Sequence, residues 1–74
     1  MTVSKYEMDA KSLKRNVVRD AIKVVAPKCK GNFEIPMSAI NYINYGNRMR
    51  KKPIRAGYDY VYNTMHEMIR NKEI

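Results

Sequence analysis

Apolar side chains recur at helical spacing between Ala10 and Val25 and then meet a proline, and this pattern constrains the fold more than any other feature of the chain. Ala10, Leu13, Val17, Val18, Ala21, Val24 and Val25 fall within an arc of about 140° on a helix that advances roughly 100° per residue. Pro27 ends the segment, because the residue before a proline is pushed out of the helical region. Lys11, Arg15, Arg19 and Lys23 follow at a strict spacing of four and form a stripe beside the arc, so one face packs and another carries charge. Two starts compete for this helix: Ser4 and Glu7 have capping-box spacing, and Asp9 would cap a shorter version.

Residues 28–35 read as a connector. Gly31-Asn32 is a turn signal, and Phe33 and Ile35 alternate around Glu34, which predicts a short extended piece at residues 33–35. Pro36 suits the first turn of a second helix, where its missing N–H is not needed. Met37, Ile40 and Ile43 give that helix a narrow apolar stripe, and Gly46 is the expected left-handed cap after Tyr45.

The last segment carries two periodicities. Ile54, Tyr58, Val61, Met65 and Met68 are spaced as on an amphipathic helix, with Tyr62 and Ile69 adjoining. Against this, Tyr58, Tyr60 and Tyr62 alternate with Asp59 and Val61, as in a strand over residues 57–62. The helix is the better reading, because its pattern continues through Ile69 while the alternation stops at Tyr62. Glu67 and Arg70 stand at an i,i+3 spacing that adds a few tenths of a kcal/mol.

The fold expected is therefore all-α: a small three-helix domain spanning residues 1–74, with a short extended connector between helices one and two. Leu13, Val17, Ala21, Val24, Ile40, Ile43, Val61, Met65 and Met68 are its candidate core, with Tyr58 beside them. With 74 residues the chain is near the lower size limit for unaided folding. Its single cysteine can form neither an internal disulfide nor a four-thiolate zinc site, which fits a reducing compartment. A homodimer or a bound partner would relieve the thin balance between burial and chain entropy, and six methionines make the core or an interface adaptable. No apolar run approaches the roughly 18 residues of a membrane span, and residues 1–9 lack a signal-peptide core. A cytoplasmic location with no membrane contact is expected.

Charge narrows the function class. Fifteen Lys and Arg against seven Asp and Glu give a net charge of +8. Residues 37–56 hold five cations and no acid, whereas residues 57–74 hold three acids and two cations. Arg48, Arg50, Lys51, Lys52 and Arg55 form the densest cluster, of a kind that neutralises phosphates and releases counterions. Tyr42 and Tyr45 precede this run and Tyr58 and Tyr60 follow it. Rings beside cations can stack on bases, and Tyr60 is the best-placed of them, since it falls off the apolar stripe. The stripe Lys11, Arg15, Arg19, Lys23 is the second candidate phosphate contact. A tight helix-turn-helix does not fit, because the link from Gly46 to Pro53 is too long and too basic.

Enzymatic chemistry finds little support. His66-Glu67 resembles the start of a zinc-protease motif, but Arg70 stands where the second histidine is needed. Cys29 lies between Lys28 and Lys30, which favours the thiolate, yet no base is paired with it. Gly31, Gly46 and Gly57 stand alone, without a phosphate-binding glycine loop. The chain thus reads as a non-enzymatic, cofactor-free nucleic-acid-binding protein, DNA or RNA, with an accessory or regulatory role. The competing reading is a small effector or inhibitor that docks on an acidic protein surface of a cytoplasmic enzyme or nucleic-acid-processing complex, since Tyr, Met and Arg are enriched in interface cores.

Overall fold

Three α-helices account for most of residues 10–74, which the computed structural model describes: α1 (Ala10–Val25), α2 (Ile35–Asn47) and α3 (Tyr58–Arg70). The capping candidates Ser4, Glu7 and Asp9 lie outside the described residues. The chain is all-α, and among the described residues there is no strand. The α3 pattern resolves in favour of the helix, since residues 58–62 sit in its first turns.

α1 packs against both α2 and α3, and α2 packs against α3. The core comes from all three and from one loop residue: Val18, Ala21, Ile22 and Val25 on α1, Ile35, Ala39 and Ile43 on α2, Val61, Met65 and Met68 on α3, and Ile54 from the α2–α3 loop. On α1 the buried arc is rotated by about 60° from the expected one, toward the basic stripe. Ile22, outside the expected arc, is fully buried, whereas Val24 is exposed and Leu13 and Val17 only flank the core. The cause is α3, which lies over the Ile22 side of α1 and takes Arg15 and Arg19 as the rim of the contact. On α2 the stripe is Ile35, Ala39 and Ile43, so that Ile40 flanks the core and Met37 faces solvent.

Between α1 and α2 the connector is short. Ala26–Lys28 and Asn32–Glu34 are single 3-10 turns, and extended backbone occurs at Cys29 and Gly31. The expected extended piece at residues 33–35 is not there: Phe33 and Glu34 wind into the turn that precedes α2, and Ile35 opens the helix itself. Helical winding wins because it places Ile35 one turn ahead of Ala39 and two ahead of Ile43, burying all three on one face. Pro36 occupies the first turn of α2, as its fixed φ requires.

Gly46 does not cap α2. The helix runs through it to Asn47 and then tightens, with N–H groups of Arg48, Met49 and Arg50 donating to the carbonyls of Tyr45, Gly46 and Asn47. The left-handed residue is Lys72, with φ 60°, just beyond α3. There the Glu73 N–H donates to the Met68 carbonyl at 2.8 Å and the Lys72 N–H to the Ile69 carbonyl at 3.0 Å. This pair of bonds is a Schellman closure, built on a lysine where glycine is usual. It turns the chain so that the Glu73 carboxylate meets the Arg19 guanidinium.

Candidate functional site

The loop between α2 and α3 brings the densest positive charge to the surface. Residues 48–53 are all exposed, and so is Arg55, while Ile54 between them is buried. Ile54 is held twice over. Its side chain enters the core, and its backbone is clamped by the Asn47 side chain, whose Nδ2 donates to the Ile54 carbonyl at 2.8 Å while Oδ1 accepts the Ile54 N–H at 3.0 Å. The six residues between clamp and anchor form a projecting loop with Arg48, Arg50, Lys51 and Lys52 on it, and Arg55 follows directly.

Acidic partners separate this cluster from the other basic element. On α1, Arg15 reaches Glu67 at 3.4 Å, and Arg19 pairs with Glu73 and lies 4.0 Å from Glu67. Two of the four stripe residues are thus tied to α3 and its C-terminal turn; of the others, Lys23 is exposed with its charge acting on Glu73, and Lys11 is exposed with no ion pair among the described residues. Glu67 faces α1, so the expected i,i+3 pair with Arg70 does not form. Among the described residues, Arg48, Arg50, Lys51, Lys52 and Arg55 make no ion pair. Their charge is uncompensated and turned outward.

Aromatic rings stand on both sides of the loop. Before it, the Arg48 guanidinium lies 5.7 Å from the centroid of the Tyr45 ring, which is 71% exposed. After it, Tyr58 and Tyr62 stack with centroids 6.1 Å apart and planes 17° from parallel, and His66 meets Tyr62 edge-on at 4.4 Å. All three are exposed, so a column of rings runs down α3 from the end of the basic loop. The expected roles of two tyrosines are exchanged. Tyr58, expected in the core, is the first residue of α3 and is 46% exposed. Tyr60, expected to be free for stacking, packs against the core, and Lys14 covers its ring at 4.4 Å. The i,i+4 spacing of Tyr58, Tyr62 and His66 was the sequence signal for the column.

The remaining reactive groups are engaged locally. The Cys29 thiol, half-buried against the core, donates to the Ser38 hydroxyl at 3.6 Å. Among the described residues no group of three or more His, Cys, Asp or Glu side chains converges to hold a metal ion, and no helix is long and apolar enough to cross a membrane. An open groove of about 560 Å³ lies where the three helices' ends meet, with Pro27, Ile35 and Ile69 in its lining and Lys23 and Glu73 on its polar side. No known protein family, curated protein or solved structure matches this chain.

Proposed function

We propose that this protein binds nucleic acid, DNA or RNA, through the phosphate backbone, with the loop Arg48, Arg50, Lys51, Lys52 and Arg55 as the main contact and an accessory or regulatory rather than catalytic role in the cytoplasm. The observation that carries this reading is the set of five outward, acid-free cations on a loop fixed at Asn47 and Ile54. Such cations displace condensed counterions from a polyanion, and a fixed loop loses less entropy on binding than a free one. Tyr58 and Tyr62 supply rings beside the cations for unpaired bases, in place of Tyr60. Lys11 and Lys23 are secondary contacts, and Arg15 and Arg19 serve α3 instead.

The test is fluorescence anisotropy with a labelled duplex DNA, a single strand and an RNA hairpin over a salt series. Affinity falls steeply with salt, and changing Lys51 and Lys52 to Ala weakens every ligand and lowers the slope by up to about one unit per lost contact. Absence of salt-dependent binding to all three ligands at low salt overturns the reading.

A further inference from the structure

We infer that the outward face of α2 is the contact surface between two copies of this chain. Of the three α-helices among the described residues, α2 alone has no Lys, Arg, Asp or Glu, across its 13 residues, in a chain that is 30% charged. Its uncharged sequence is not explained by burial. Met37, Asn41, Tyr42, Asn44 and Tyr45 are all exposed, as is Phe33 immediately before the helix. On the helix wheel the five α2 positions share an arc of about 160° outside that of Ile35, Ala39 and Ile43, with Tyr42 at its edge beside Ile35, so they form one surface.

Phe33 is 79% exposed, Tyr45 71% and Met37 52%, with Tyr42 at 46%. Together these side chains expose on the order of 500 Å², and with the neighbouring backbone and Asn side chains the face approaches the roughly 800 Å² that each partner gives a standard interface. An apolar patch of about 500 Å² is as large as the largest on typical monomers, where such patches are often functional.

Three features select a second copy as the occupant. Each chain carries a net charge of +8, so two copies repel wherever their cations meet, and α2 is the face on which they can touch without bringing like charges together. Asn41 and Asn44 each carry both a donor and an acceptor, so an identical amide across a two-fold axis satisfies them, as an isologous contact requires. With that axis near Asn41, the two α2 helices run antiparallel and carry their basic loops to opposite ends, about 20 Å apart by helix rise alone and beyond the screening length at physiological salt. An acidic protein would instead be drawn to the loop, because α2 offers it no charge.

Sedimentation velocity of the full chain without nucleic acid, from about 1 to about 200 µM, reads the association directly and independently of the nucleic-acid reading. A concentration-dependent monomer–dimer equilibrium is expected, and it strengthens as salt screens the repulsion between cationic copies. Tyr45→Glu sets a carboxylate, which must lose its hydration in the contact, against the apolar Met37 position of the other copy and raises the dimer dissociation constant at least tenfold, with unchanged helicity by circular dichroism. Met37→Glu, at an exposed first-turn position where a carboxylate suits the helix dipole, provides the same result should Tyr45→Glu fail to fold. A chain that stays monomeric at the highest concentration, or a dimer that neither variant weakens, overturns the proposal. Either result leaves the salt-dependent binding test of the loop standing.

Discussion

The Asn47 side-chain amide satisfies both backbone groups of Ile54, donating to its carbonyl and accepting its N–H, and so closes the α2–α3 loop seven residues later. No other side chain can substitute closely. Asp lacks the donor, and Gln moves both atoms outward by a methylene. Asn47→Ala leaves the part-buried N–H and carbonyl of Ile54 without partners, at a cost of about 1–3 kcal/mol. Denaturant unfolding monitored by circular dichroism should report that loss. Hydrogen exchange of the Ile54 amide should accelerate by more than the global change accounts for, since the loop opens locally first. An unaltered exchange rate at Ile54 would show that burial of its side chain alone fixes the loop.

The Arg19–Glu73 pair makes the C-terminal turn sensitive to acid. The hydrogen bond from Arg19 holds the Glu73 carboxyl below its ordinary 4.5, against the opposing effect of burial and with help from the charge of Arg19, the Asn71 side chain and the charge of Lys23. A folded-state pKa below the unfolded one contributes stability that is present above the unfolded value and is lost as pH falls through the folded one. Thermal melts should therefore show Glu73→Gln less stable than wild type at pH 7, with the gap closing below the ordinary carboxyl range. Arg19 stays charged throughout, since its partner raises its pKa further. A gap that persists at low pH would assign the effect to packing.

Much of this architecture can be traced to local sequence. The α1 and α3 periodicities are legible because each helix buries a stripe of large apolar residues, and Pro27 and Pro36 fall where chain geometry wants them. The connector misleads because two residues, Phe33 and Ile35, fit both a strand and a helix, and only the distant partners of Ile35 decide. Val24 and Ile22 exchange places because the wheel fixes the shape of an apolar arc but not the direction from which α3 arrives. Of the site, the loop cations are legible as a run. The neutralisation of Arg15 and Arg19 is not, since Glu67 and Glu73 lie more than fifty positions away. The Asn47 clamp leaves no pattern at all, because its partner is main chain.

Lys72 holds a left-handed conformation for which a Cβ carries a penalty, and the closure of α3 depends on it. Lys72→Gly keeps both Schellman hydrogen bonds and removes that penalty, so it should raise stability by about 1 kcal/mol, read as a higher denaturant midpoint at unchanged m-value. Lys72 is exposed, and its charge has no acid partner among the described residues, so little is lost with the side chain. A lowered midpoint would mean that the gain in unfolded-chain freedom outweighs the relief.

Tyr60 and Tyr62 stand two residues apart on α3 and should respond oppositely to truncation. Tyr60 packs against the core under the Lys14 ammonium, so Tyr60→Ala removes buried ring surface together with a cation–π contact. A loss of roughly 1–3 kcal/mol in stability is expected, with nucleic-acid affinity per folded molecule unchanged. Tyr62 is 42% exposed between Tyr58 and His66. Tyr62→Ala should cost less stability, because Tyr62 is exposed and is not among the residues packed against the core, yet it should weaken single-strand binding by about 1 kcal/mol or more while sparing duplex binding, whose bases are already stacked. Anisotropy titrations with matched single-stranded and duplex ligands, beside a thermal melt of each variant, separate the two residues. Equal losses on both ligands would make Tyr62 a support for the loop, and a loss with Tyr60→Ala alone would return base stacking to the position first read from the sequence.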